Sequence, residues 1–166
     1  MRRAIEATSP AKRDDKDAFS FAIGDWRGKG RQGPASNPEY DSVFVCLRAP
    51  GGKGVEIMQF DDDHAGGKVF YAEHLSVAPA VRGRMKVTRR GFAYADAGDT
   101  LFVMHEVAKK EGDGVRISPD PKGKNFLNNN VKLSKEGADG LKAEGTASVG
   151  KNTWTFEYHF KRRLKS

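Results

Sequence analysis

Four histidines, at positions 64, 74, 105 and 159, are the side chains best suited to proton transfer or metal binding near neutral pH. Their neighbours decide how each one is read. His159 alternates with a run of aromatics and so falls on the opposite, outer face of its strand. His105 shares a parity face with Leu101, Val103 and Val107, which points it inward. Glu73 goes with Val69, Tyr71 and Leu75, and His74 with Phe70 and Ala72, so one of these two polar groups faces the interior. If His105 met Glu73 or Tyr71 there, the pair could work as base and orienter in proton transfer. Asp61-Asp62-Asp63-His64 has the composition of a metal site but not the geometry. Consecutive side chains on an extended segment point alternately, and oxygen-ligand loops space their ligands at alternate positions. This run reads as a solvated hairpin tip. Cys46, the single cysteine, lies on a mostly apolar strand and reads as a buried thiol. No phosphate-binding glycine loop, nucleophile elbow, zinc spacing or dinucleotide fingerprint occurs. No catalytic residue, metal or cofactor is therefore assigned.

A second kind of chemistry is electrostatic. Arg82, Arg84, Lys86, Arg89 and Arg90 place five cations in nine residues with no acid among them. The chain as a whole carries 29 Lys+Arg against 22 Asp+Glu, a formal charge of +7. Clustered cations beside Phe92 and Tyr94 are the footprint of polyanion contact, in which cations meet phosphates and rings stack on bases. Arg90-Gly91-Phe92-Ala93-Tyr94 resembles the opening of the RNP1 motif of RNA-recognition domains. Ala95 and Ala97 then break the match, and no segment supplies the two helices that such domains need.

The elements that must position these groups are strands. Trp154-Thr155-Phe156-Glu157-Tyr158-His159-Phe160 alternates aromatic with polar, the pattern of a half-buried strand with four rings on its inner face. Leu141–Val149 precedes it across a short Gly150-Lys151-Asn152 turn, which makes the two a hairpin. Tyr40–Arg48, Val55–Phe60, Val69–Ser76, Met85–Tyr94 and Leu101–Val107 recur at similar intervals, separated by Gly, Pro and Asp clusters. Ser118–Asn130 reads as the longest loop. No stretch shows a 3.6-residue period, and 19 glycines oppose long helices. The spacing predicts an all-β sandwich or up-and-down barrel; taken with the resemblance given below, the expectation is an antiparallel up-and-down barrel of eight to ten strands.

The chain's 166 residues suffice for one domain with a proper core. Residues 1–18 read as a flexible tail and 19–166 as the barrel. The longest apolar run, Val43–Leu47, is far too short to cross a membrane. The lone cysteine fits a reducing compartment, so the expected setting is intracellular, and cytoplasmic rather than organellar.

At the start of the barrel, Gly24, Trp26, Gly28 and Gly30 share one face of a strand. This Gly-x-Trp-x-Gly-x-Gly segment resembles the first strand of the calycins, namely lipocalins, fatty-acid-binding proteins and, most of all, nitrobindin-like barrels. In such barrels a basic residue at the end of the last strand packs over the first-strand tryptophan. Here the resemblance implies Arg162 over Trp26. Nitrobindin-type proteins hold heme through a histidine near the start of the last strand. Thr155 and Phe156 stand at the corresponding positions, so heme ligation does not carry over. The resemblance implies a non-catalytic binder of a small apolar or amphipathic molecule, with Trp26, Gly28, Tyr71, Glu73, His105, Phe156, Tyr158 and Arg162 as the residues expected at the ligand. The alternative is a basic barrel that meets RNA or an acidic protein partner through Arg82, Arg84, Lys86, Arg89, Arg90, Phe92 and Tyr94, together with its C-terminal basic end.

Overall fold

Alternation of apolar and polar residues buries one face of every strand. Such strands must hide that face, either against a second sheet or inside a sheet closed on itself, and here the sheet closes. A computed structural model describes residues 18–62, 69–95 and 98–163, with the backbone alone for 94, 95, 98 and 99. A short 3₁₀ turn at Ser20–Ala22 leads into β1 (Gly24–Gln32), β2 (Tyr40–Arg48), β3 (Val55–Asp62), β4 (Val69–Val77) and β5 (Met85–Ala95). They are followed by β6 (Gly98–Glu111), β7 (Gly114–Pro119), β8 (Asn128–Glu136), β9 (Gly140–Val149) and β10 (Asn152–Arg162). Each strand pairs antiparallel with its neighbours in sequence, and β1 pairs with β10 to close the barrel. The all-β, calycin-like architecture is the one expected, with ten strands. Residues 120–127, between β7 and β8, form the loop expected within Ser118–Asn130.

The two ends of the barrel differ. At one end Ala18, Phe19 and Ala22 are buried and plug the opening. Ala18, grouped with the tail from sequence, thus belongs to the core. The Trp26 indole, 2% exposed, donates a hydrogen bond from Nε1 to the Ala22 carbonyl at 2.8 Å. Arg162 lies over the indole with its Cζ 4.3 Å from the ring centroid, and its Nη1 donates to the Ile23 carbonyl at 3.0 Å. This is the packing that the calycin resemblance implies, and it ties the first and last strands to the plug.

Above the plug the core is apolar, with Phe44, Ile57, Leu75, Val87, Val115, Leu133, Leu141 and Phe160 pointing inward. Toward the other end the inward side chains of β3 to β6 become polar and those of β9 small. Gln59, Asp61, Glu73, Arg89 and Glu106 are all buried there, and β9 contributes only Ala143 and Ala147. Among the described residues, no helix is long and apolar enough to cross a membrane.

Candidate functional site

Strand pairing brings the buried polar groups together. Gln59 of β3 sits directly opposite Glu73 of β4, and Asp61 lies opposite both Ser42 of β2 and Tyr71 of β4. On the next strands Arg89 and Glu106 occupy inward positions and meet side-on. Arg89 Nε donates to Glu106 Oε2 at 2.8 Å, and Nη2 donates to Oε1 at 3.4 Å. Arg89 Nη1 reaches the other way, to Glu73 Oε2 at 2.5 Å. The Tyr71 hydroxyl donates to that same Glu73 oxygen at 2.5 Å. The guanidinium is 4% exposed, so two carboxylates must compensate its charge in place of water. Burial works against that charge, yet Glu73 and Glu106 outweigh it and raise the Arg89 pKa further. Burial also pushes the Glu106 carboxyl above its ordinary range, against the pull of Arg89. The Tyr71 phenol is driven well up by burial and then by the Glu73 charge, so it remains a donor.

A second network adjoins the first. Asp61, 1% exposed, accepts from Ser42 Oγ at 2.5 Å, from Gln59 Nε2 at 3.1 Å and from the Tyr158 hydroxyl at 2.8 Å. Tyr158 in turn accepts from the Tyr40 hydroxyl at 3.1 Å. Burial raises the Asp61 carboxyl from 3.8 to about 6, and its three donors hold it down only in part.

Glycines make room for these rings. A Cβ on Gly30 would lie 2.5 Å from Tyr40 Cε2 and closer still to Tyr158. A Cβ on Gly91 would overlap the Phe102 ring, which stacks on Tyr71 at 6.0 Å and holds its hydroxyl toward Glu73. At Gly30 the space left by the absent side chain is taken by the two tyrosines. At Gly28 it is taken by the backbone of His159 and Phe160.

Over the polar groups lies a cavity of about 90 Å³. Gln59, Tyr71, Glu73, Arg89 and Tyr158 form its polar side. Trp154, Phe156, Val131, Ala143, Ala147 and Leu127 form the apolar wall, and Gln32 and Asn129 complete the lining. This volume is below the ~300–1,000 Å³ of drug-sized sites, which suits a small molecule or the head of a longer one.

Of the residues expected at a ligand, Tyr71, Glu73, Phe156 and Tyr158 line this cavity. Trp26, Gly28 and Arg162 do not: Trp26 and Arg162 belong to the plugged end, and Gly28 lies against the backbone of His159 and Phe160. His105 is a correction. Its side chain is exposed, and the inner face of β6 carries Met104, Glu106 and Ala108 instead. Leu101 and Val103, which suggested an inward face, are 83% and 54% exposed. His105 and Glu73 therefore do not converge. Arg89 is the second correction. It is buried and ion-paired, so it leaves the basic surface cluster, whose remaining members Arg82, Arg84, Lys86 and Arg90 are exposed. Phe92 is half-buried on the outer face, and the Tyr94 side chain lies outside the described residues. Asp61 is the third correction, a buried acceptor rather than part of a solvated tip; Asp63 and His64 lie outside the described residues. The other readings of single residues agree with their placement. His74 faces outward and pairs with Glu56 at 2.6 Å, and exposed His159 meets Glu136 at 2.8 Å. Cys46 is fully buried, with its thiol pushed up to about 12 by burial. Among the described residues, no group of three or more His, Cys, Asp or Glu gathers to hold a metal.

Gln59, Asp61, Arg89, Glu106 and Asn129 are buried polar members of the site that the sequence reading did not place there. The signal was parity. Gln59 and Asp61 alternate in phase with Val55 and Ile57, Arg89 with Met85 and Val87, and Glu106 with Met104 and Ala108.

No family model matches the chain, and no curated protein matches its sequence. Solved structures do match in shape. Rv2717c from M. tuberculosis superposes with a TM-score of 0.56 at 15% identity, covering 89% of this chain and 98% of that one. A redesigned β-barrel gives a TM-score of 0.47 at 12% identity, over 89% and 96% of the two chains. The S-type phycobiliprotein lyase CPES from Guillardia theta gives 0.49 at 11% identity, over 95% and 99%. At such identities the likeness to Rv2717c establishes the barrel fold and nothing about activity.

Proposed function

We propose that this protein is a non-catalytic binder of a small apolar or amphipathic molecule, held in the unplugged end of the barrel. The observation that carries this reading is the cavity itself: aromatic and aliphatic walls over a buried, hydrogen-bonded polar floor. An apolar wall supplies affinity by area, and a few fixed polar groups supply orientation. The calycin-like reading of the Gly24–Gly30 segment is consistent with that use, as is an intracellular setting for a chain whose one thiol is buried.

The test is native mass spectrometry of gently purified protein, with an absorbance scan, alongside an Ala147→Trp variant that fills the cavity. A mass adduct present in the wild type and absent from a folded variant supports the reading. An adduct retained by the variant places the ligand elsewhere and overturns it. So does a wild-type protein that neither carries an adduct nor takes up any member of a small apolar ligand set.

A further inference from the structure

The cavity floor carries more negative than positive charge. Arg89 contributes one positive charge, and Glu73 and Glu106 contribute two negative ones. Asp61 stands immediately behind Gln59 and Tyr158, both of which line the cavity. The arrangement is also lopsided. Glu106 takes Arg89 side-on from behind and is not part of the cavity lining, so it neutralises the guanidinium from the core side. Glu73 is then the surplus carboxylate, and it faces the cavity. Its bonds to Arg89 and Tyr71 both fall on Oε2. Among the described residues, Oε1 is left to accept from an incoming donor.

We propose, resting on the ligand-binding reading above, that the cavity selects molecules with a protonated amine head and an apolar tail, and turns away carboxylates. An ammonium has three donors and no acceptor, which matches Glu73 Oε1 and the Gln59 side-chain carbonyl. It also brings the floor toward neutrality in a place where charge is poorly screened. A carboxylate would have to compete for Arg89 with two acids that already hold it, and would sit beside Glu73 as a like charge. The tail would lie on Trp154, Phe156 and Leu127, toward the mouth.

A matched set of hexylammonium, hexanol and hexanoate separates head from tail. Each is titrated at pH 8 and constant ionic strength into ¹⁵N-labelled full-length protein, following the amides of Ala143 and Ala147. Hexylammonium should bind at least tenfold more tightly than hexanoate, with hexanol between them. In Glu73→Gln the two charged ligands should come within about threefold of each other. The wild-type series alone decides the sign should that variant fail to fold. Hexanoate binding as tightly as hexylammonium, or more so, overturns the head-group assignment and leaves the pocket in place. A Glu73→Gln protein that folds and keeps the full preference overturns the role of Glu73. Failure of all three ligands to shift the cavity amides overturns the ligand-binding reading itself.

Discussion

Replacing Asp61 by Asn should change how stability depends on pH, in a direction fixed by the burial of this carboxyl. In the folded chain Asp61 titrates near 6 rather than at 3.8, because burial disfavours the anion more than Ser42, Tyr158 and Gln59 favour it. A folded-state pKa above the unfolded one means that the folded state holds the proton more tightly. The stability contributed by protonated Asp61 is thus full below about pH 4 and is lost as pH rises through about 6. Each pH unit between the two values is worth about 1.4 kcal/mol, so the whole effect is ~3 kcal/mol, of which ~2–3 kcal/mol falls between pH 4 and 7.5. The asparagine side chain of the variant has no charge to desolvate, and its amide can still pair with Ser42 and Tyr158 once their hydroxyls rotate.

The measurement is urea denaturation of both proteins from pH 4 to 7.5 at fixed ionic strength. Glu106, also raised by burial, titrates in the same sense in both proteins, so it cancels in the difference. The stability of Asp61→Asn relative to wild type should rise by ~2–3 kcal/mol from the acid to the neutral end. Parallel curves would mean that the three donors fully offset burial and that Asp61 is an ordinary ionised residue. A gap that widens the other way would mean that the carboxylate stabilises the fold, and the premise of a strained buried charge would be refuted.

Other perturbations follow from the same geometry. Arg89→Met leaves Glu73 and Glu106 buried without a counter-charge and should cost about 3–5 kcal/mol in denaturant unfolding. Adding Glu106→Gln and Glu73→Gln to that variant should recover most of the loss. Gly30→Val drives a side chain into the Tyr40 and Tyr158 rings and should cost about 1–3 kcal/mol, with the tyrosine near-ultraviolet circular dichroism altered. Arg162→Ala removes a cation from the Trp26 face and a hydrogen bond from the Ile23 carbonyl, so a loss of about 1–2 kcal/mol is expected, with no change in cavity binding.

How much of this was legible in the sequence depended on the strand. β10 was plain, because Trp154, Phe156, Tyr158 and Phe160 alternate against Thr155, Glu157, His159 and Lys161, and only one face can be inner. β1 was plain through the Trp26 motif and its Arg162 partner. β6 misled because both of its faces are apolar. Leu101 and Val103 on the outside outweighed Met104 and Ala108 on the inside, and the choice of face carried His105 in and Glu106 out. Arg89 was hidden by its neighbours, since a cation among Arg82, Arg84, Lys86 and Arg90 reads as one more surface charge. Only its phase with Val87 marks it as inward, and a charged residue in phase with a core pattern is outvoted when charges are assumed to seek water. Strand parity assigns faces but not the diagonal neighbours that barrel shear creates. The junction of Arg89 with Glu73, two strand positions out of direct register, therefore had to come from the structure.

The buried charges also explain why the two ends of the barrel do different things. An ionic cluster is a poor way to stabilise a core, since well-packed apolar residues of similar volume usually do as well or better. The plugged end follows that logic: Trp26, Phe44, Leu141 and Phe160 fill it, and Arg162 keeps its charge outside the core, with its head over the indole. The other end departs from it. Small residues on β9 withhold the side chains that would fill the space, while Glu73 and Arg89 are held in fixed positions by Tyr71 and Glu106. Fixed polar groups beside unfilled volume pre-pay the ordering cost that a ligand would otherwise bear on binding. Stability drawn from the plugged half thus lets the other half keep a cavity and a charged floor, and Asp61→Asn and Arg89→Met measure what that floor costs.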